Sequence, residues 1–542
     1  MNPDQLGTDK SNPKSFTELN PILPNMSGFL TLKSLFFLKR KTKTTLGVNA
    51  PPFSPTLNAK RSLHAGTSQG FREMEGMEIE KPLTEEDESA PWYRGVSRYA
   101  WIVLAVAALG WMFDTMDQNL FNQVRARSLT EILAPSFVNA RPGELDAAVK
   151  EWAGTITTVF LIGWAVGGMI FGVLGDRLGR TRTMVFTILI YALFTGLNGL
   201  AQTPYQYALC RFLTALGVGG EFAAGTALVA EVWSPRSRPM ALGLLQGCST
   251  VGNIMAALIT ISLSSLGWRW TYAVGILPAL LVIWIRQAVK EPEKWQEAKE
   301  KAAETGTGNE LGNLGELFRD PTLRRNTVGG ILLALAGIGG LWGVGFFLPD
   351  LITSVLKPMI SHLPDIETLS GDAKKKAIAA TLQVWSSKIS ISQQVGAFCG
   401  MFSYAALSQR TGRKPALFLF FILAFCAVEA AFHFLRDIPT AFVLAFLLGY
   451  CGLAPFAAYA IYFPELYPTR LRSTGIGFCY NGARLLAAFA PFLLGSLAKK
   501  YAVVGDDTAG LRTAASIVAF VYLFGFIGLA IAPETKGKPL PE

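Results

Sequence analysis

Residues Gly172 to Arg182 read Gly-Val-Leu-Gly-Asp-Arg-Leu-Gly-Arg-Thr-Arg. The stretch closes one apolar run, Ala153–Leu174, and leads into the next, Thr183–Ala201, so it is a short charged loop between two hydrophobic segments. Gly172 and Gly179 permit a tight turn and close helix approach, and Asp176 is placed to pair with basic groups where the helix ends. A degenerate copy, Gln409-Arg410-x-Gly412-Arg413-Lys414, follows in the second half of the chain without the acid. A second motif is duplicated more faithfully. Glu231-x-Trp233-x-x-Arg236-x-Arg238 is echoed by Glu465-x-Tyr467-x-x-Arg470-x-Arg472, and Gly243 by Gly477, at one constant offset. Repetition on this scale reads as two copies of one unit with a site between them.

Working outward, twelve apolar runs succeed one another: Tyr99–Phe121, Ala153–Leu174, Thr183–Ala201, Tyr205–Ala230, Met240–Leu263, Thr271–Val289, Thr327–Leu348, Ile389–Leu407, Pro415–Leu435, Ala441–Phe463, Ser473–Leu497 and Ala514–Ala532. Each is near the ~20 residues a bilayer-spanning helix needs, too long for a strand and too apolar for a surface helix. Only 16% of the 542 residues are charged, against about 25% in soluble proteins. Disorder, collagen, coiled coil and a disulfide scaffold are excluded as the class of the whole chain. The net charge of +10 does not mark a nucleic-acid binder, because the basic residues sit in short loops between apolar runs. Those loops orient the chain: Arg177, Arg180 and Arg182, then Arg236 and Arg238, Arg410 to Lys414, and Arg470 with Arg472 all fall on one side, which places both termini in the cytoplasm.

The expected organisation is an N-terminal extension at 1–97, a six-helix bundle at 98–289, a cytoplasmic linker at 290–326, a second six-helix bundle at 327–532 and a cytoplasmic tail at 533–542. The extension has no Asp or Glu from Leu19 to Arg72. That composition resembles an organellar transit peptide; the plainer readings are a disordered tail, or translation starting at Met74 or Met77.

The Gly172–Arg182 loop matches the signature between the second and third helices of the major facilitator superfamily, and the chain from about 98 to 538 resembles that family. Arg211-Phe212-Leu213 with Gly217-x-Gly219-Gly220-Glu221, and Phe463 to Arg472 running on through Gly475 and Gly477 to Asn481 and Arg484, resemble aromatic-acid, sialate and lactate proton symporters. Pro533-Glu534-Thr535-Lys536-Gly537 and Glu291-Pro292-Glu293 are similar to the end motifs of sugar porters. The resemblance implies an all-α membrane protein of twelve transmembrane helices in two pseudo-symmetric bundles, working by alternating access. It implies a cytoplasmic gate built on Gly172, Asp176, Arg177, Gly179, Arg180, Glu231, Arg236, Glu465 and Arg470.

Ionisable residues inside spanning helices are costly and so mark functional candidates. Asp114 and Asp117 share one face of the first helix at i, i+3, and counting residues from the helix ends sets Asp114 and Arg211 at nearly equal depth, where contact is expected. Movement of the arginine would then change the proton affinity of the acid. The resembling symporters use a first-helix acid in this way, which puts Asp114 first and Asp117 second. Glu221 is either a further protonation or substrate site or an acid bonded across a glycine-lined helix contact.

Arg484 lies about 18 Å into its helix from Arg472, with Tyr480 and Asn481 near it, and offers a carboxylate a bidentate partner. Gln246, Asn253, Gln393 and Gln394 add neutral hydrogen-bonding groups on cavity-side helices. The resulting expectation is a monomeric, proton-coupled symporter of a small organic acid in the plasma or inner membrane. The rival cargo is a sugar or polyol, although no Gln-Gln-x-x-Gly pattern falls in the seventh run; the rival class is a transporter-like nutrient sensor. No enzyme is expected, since HExxH and Walker patterns are missing from the sequence. No metal or cofactor is expected either: the three histidines and six cysteines show no ligand spacing.

Overall fold

The structure, a computed structural model, describes residues 91–137, 144–263, 266–306, 310–503, 506 and 508–542. The extension expected at 1–97 therefore lies, up to residue 90, outside the described residues. Twelve helical segments match the twelve apolar runs. They are α1 (Arg98–Leu133), α2 (Glu144–Leu178), α3 (Arg180–Asn198), α4 (Pro204–Val232), α5 (Arg238–Ser262), the broken α6 (Trp268–Val274 and Ala279–Ala288), α7 (Pro321–Gly343), α8 (Gly371–Thr411), α9 (Arg413–Phe434), and the broken α10 (Ile438–Gly452, Ala454–Tyr462), α11 (Arg472–Ala487, Ala490–Lys500) and α12 (Ala509–Ala519, Tyr522–Ile531). Among the described residues ten helical stretches have the length and apolarity to cross a membrane. The two left out are α3, which begins Arg180-Thr181-Arg182-Thr183, and α8, whose sequence carries Ser386, Ser387, Lys388, Ser390, Ser392, Gln393 and Gln394.

The helices start where local chemistry tells them to. The side-chain oxygens of Ser97, Thr203 and Asp320 accept from backbone N–H groups in the first turns of α1, α4 and α7, and Asp437 with Thr440 forms a capping box at α10. Several helices overrun their apolar runs. α1 continues twelve residues past Phe121, where Phe121, Leu129, Val149, Tyr207, Trp268 and Tyr272 build a separate small core.

The two chain halves meet along two seams, α2 against α11 and α5 against α8. Glycines set both. A Cβ on Gly172 would lie 3.0 Å from the Ser473 carbonyl, and one on Gly477 would strike the carbonyl of Gly168. On the other seam, a Cβ on Gly243 would sit 2.6 Å from that of Ala405. The duplicated pair Gly243 and Gly477 thus does one job twice, letting helices approach closely where small residues meet.

The α2–α3 and α8–α9 turns also repeat. Gly179 has φ +113° and Gly412 φ +107°, a region close to glycine-only at these ψ values of 155° and 164°. In each case a carboxylate from the end of the same half seats on the turn. Glu291 accepts from the backbone N–H groups of Thr181 (3.2 Å) and Arg182 (3.0 Å), and Glu534 from those of Arg413 and Lys414, both at 2.9 Å. Gly412→Ala is expected to cost on the order of 1–3 kcal/mol, from the forced backbone conformation and from the Cβ arriving 2.9 Å from the Glu534 carboxylate. Gly495→Ala, in a helix with open space at that position, is expected to be neutral or stabilising; thermal denaturation in detergent compares the two.

Candidate functional site

The charged loops converge at the end of the helices where both described termini lie. Ser237 donates to the carbonyl of Trp92 there, and Arg472 to that of Pro541. The repeat is legible atom by atom. Arg180 sends Nε and Nη2 to Glu231 (3.1 and 2.9 Å) and Nη1 to the carbonyl of Gly175; Arg413 sends Nε and Nη2 to Glu465 (3.0 and 2.8 Å) and Nη1 to that of Ser408. Bidentate guanidinium–carboxylate pairs of this kind are the strong form of ion pair.

Across the seam the symmetry fails. Asp176 accepts from the N–H groups of Ser473 (3.1 Å) and Thr474 (2.8 Å) and from the Thr474 hydroxyl (2.6 Å), so an acid on α2 caps the N-terminus of α11. It also pairs with Arg180 at 3.1 Å. Arg472 reaches Glu231 from the other half at 2.7 Å, and Arg180 donates to the carbonyl of Thr469 at 2.6 Å. The return connection is uncharged, Gln409 donating to the carbonyl of Arg236 at 2.8 Å. Arg177 donates to the Leu311 carbonyl and Arg470 pairs with Glu316, so these two hold the linker. These contacts tie the two halves together on the terminus side.

A cavity of about 220 Å³ lies between the halves and is lined by Gln246, Asn253, Gln393, Gln394, Tyr480 and Arg484 among others. Asn481, grouped with them from the sequence, sits behind the wall: it accepts from Arg484 at 2.6 Å and donates to the Gly477 carbonyl. Arg484 is 2% exposed and lies flat on Trp164, 3.8 Å from the ring centre, with Tyr480 at 4.6 Å. Among the described residues it forms no ion pair, and its Nε, like the indole N–H groups of Trp111 and Trp164, has no hydrogen-bond partner. Residue order alone did not assign these two tryptophans to the site; setting α1 and α2 against α11 does.

The acidic group sits beside the cavity in the first half, buried among α1, α3 and α4. Arg211 pairs with Asp117 at 3.1 Å, not with Asp114, which corrects the contact expected from helix depth. α1 runs on to Leu133, so depth counted from Phe121 misplaces the level by a turn. Asp117 also accepts from Thr195 at 2.6 Å, and Arg211 is sandwiched between the Phe121 and Phe160 rings. Asp114, 1% exposed, has neither carboxyl oxygen bonded among the described residues. Glu221 accepts from Thr187 at 2.8 Å and lies against Gly110, one turn before Asp114, the glycine-lined contact that was one of its expected readings.

The Major Facilitator Superfamily model matches residues 126–359, and the Sugar (and other) transporter model matches 376–542. The chain belongs to the major facilitator superfamily. It is a multi-pass membrane transporter of small molecules and not an enzyme. It is 30% identical over 370 residues to the cis,cis-muconate transport protein of Acinetobacter baylyi, covering 67% of this chain and 82% of that one. It is 28% identical over 453 residues to a probable 4-methylmuconolactone transporter of Cupriavidus pinatubonensis, covering 82% and 93%. Among solved structures, the proton:xylose symporter XylE bound to 6-bromo-6-deoxy-D-glucose superposes with TM-score 0.60 at 18% identity, over 82% of this chain and 98% of that one, a likeness of fold.

Outside the helices, Glu534 titrates below the ordinary carboxylate range. Partial burial pushes it up, but backbone N–H groups of Lys414, Arg413, Lys536 and Thr535 hold the charged form more strongly. A lowered folded value stabilises the protein above the unfolded value of about 4.3 and ceases to do so as pH falls through the folded value. Glu534→Gln is expected to lower the unfolding midpoint at pH 7, and its gap from the parent protein should shrink on acidification below about pH 4. A gap that is constant from pH 7 to pH 3 in detergent melts would remove the charge from the account.

Proposed function

We propose that this transporter carries a small organic anion together with a proton, in a cell membrane with both termini cytoplasmic, and acts as a monomer. The observation that carries the cargo class is the Arg484 guanidinium: it faces the cavity with no acid pairing it among the described residues, and unpartnered donors on Trp111 and Trp164 line the same cavity. A cation buried without a counter-ion is costly, and an arriving carboxylate supplies one in the geometry a guanidinium fits best. The relatives that carry muconate and a muconolactone point the same way.

The proton reading rests on the neighbouring group. An ionised carboxylate with no donor is costly among apolar helices, and a proton removes that cost. Asp114 is such a group, facing Asp117, Glu221 and Tyr191, with Arg211 held by Asp117. We assign Asp114 and Glu221 as the proton-accepting pair and Asp117 with Arg211 as the partner whose rearrangement, when the halves rock, changes what Asp114 meets. The bundles at 98–289 and 327–532 are the rocking bodies, and Asp176, Arg180, Glu231 and Arg472 form the gate on the cytoplasmic side. Sugar or polyol transport is the second reading, favoured by the neutral amides of Gln246, Asn253, Gln393 and Gln394 in the cavity wall.

The test is uptake into proteoliposomes under an imposed pH gradient, offering an aromatic acid, lactate, sialate and a hexose. Gradient-driven acid uptake is expected. Arg484→Gln should reduce it at least about a hundredfold, the loss of a buried charge-assisted contact, with Arg484→Lys recovering part. Asp114→Asn should abolish stimulation by the gradient while leaving exchange of acid across the membrane. Hexose uptake without acid uptake would overturn the anion reading.

A further inference from the structure

A second cavity of about 190 Å³ adjoins the first, sharing Asn119, Asn253, Ser390 and Gln394 with it, and reaches away from the terminus side to the half-buried Ser386 and Ser387 and the exposed Gln123 and Gln383. Its character differs from that of the Arg484 cavity. Eight of its twelve lining residues carry a neutral amide or hydroxyl and none carries a charge. The groups are ordered. On α8, Gln383, Ser387, Ser390 and Gln394 follow at steps of four, three and four, one face of the helix for about 17 Å; on α1, Asn119 and Gln123 stand one turn apart. Polar groups at membrane depth face protein or a water-filled space, and this stripe contributes to the low apolarity of α8. The two cavities meet where Asn253 donates to Gln394 at 3.1 Å, a hydrogen bond between the halves, with Asn119 fixed to the Asn253 carbonyl at 2.9 Å.

We propose that this outer cavity is a binding subsite for a neutral, polyhydroxylated group, and that the cargo is a hydroxylated acid whose carboxylate sits at Arg484 while its hydroxyls bond the α1 and α8 amides and serines. The inference rests on the anion reading for its inner half only. Hydroxyl groups both donate and accept, which suits a wall of amides and serines, and a site built to hydrogen-bond hydroxyls discriminates strongly against analogues lacking them. An uncharged wall leaves selection of the charged end to Arg484 alone.

Trp111, Trp164 and Trp342 line the inner cavity, so ligand binding is read by tryptophan fluorescence of the purified full-length protein in detergent, with gluconate and butyrate as probes. Gluconate is expected to bind more tightly than butyrate. Ser387→Val combined with Gln123→Leu should weaken gluconate about tenfold, the loss of two neutral hydrogen bonds, and leave butyrate within about twofold, which also shows that the variant is folded. Equal weakening of both probes would make the cavity an access route and overturn the subsite, as would no preference for gluconate in the parent protein. Arg484→Gln separates the two readings: loss of both probes supports both, whereas gluconate binding that survives Arg484→Gln but is lost in the Ser387, Gln123 variant sinks the anion reading and leaves the subsite standing.

Discussion

Asp176 at the N-terminus of α11 is the contact on which the observed arrangement of the two halves depends. Its carboxylate is fully buried, and burial of that charge is sustained by donors from both sides of the seam: Arg180 from its own half, and two N–H groups and a hydroxyl from the other. If the halves separate, the α11 donors lose their acceptor and Asp176 keeps only Arg180. Water can replace what is lost, since an opened seam is a wetted one. A contact of this type holds through its buried state and yields to hydration. The same reasoning covers Glu231, which two arginines from opposite halves share.

Duplication with divergence explains why the latch is lopsided. Each half keeps the bidentate Arg–Glu pair, the positive-φ glycine and the terminal carboxylate on the turn, all contacts made within a half. The cross-seam contacts differ between copies: the hydrogen bonds of Asp176 and the Glu231–Arg472 ion pair on one seam, Gln409 on the other. Contacts inside a half maintain a folded unit, and each copy needs them. Contacts between halves set how firmly one conformation is held, and charging both seams would add buried charges that must be desolvated when the seam closes.

What was legible in the sequence follows from the range of the interaction concerned. Helix number and order rest on local apolarity, and the twelve runs reappear as twelve helical segments. Motif glycines were legible because positive φ and close approach leave few alternatives. Side-chain partners were not. Depth counting brought Arg211 to Asp114 when it meets Asp117, since a one-turn error exceeds the reach of an ion pair. Trp164 was invisible as a neighbour of Arg484, because stacking across α2 and α11 depends on helix rotation that periodicity does not fix. The caps at Ser97, Thr203, Asp320 and Asp437 are local chemistry that an apolarity count passes over, which is why the expected seventh run begins at Thr327 and the helix at Pro321.

The two halves also divide their polar burdens. Asp114, Asp117, Glu221 and Arg211 lie within α1 and α4 of the first half, while Arg484 stands on α11 of the second. A carboxylate cluster and an arginine on the same wall would pair and cancel, leaving neither an unpaired acid nor an unpaired cation. Keeping them on opposite walls preserves both. The α2–α11 seam joins the two halves beside these groups: Trp164, on which Arg484 lies, and Asp176, which caps α11, are carried by the same helix, twelve residues apart. α2 thus touches both Arg484, through that ring, and the N-terminus of α11, through Asp176.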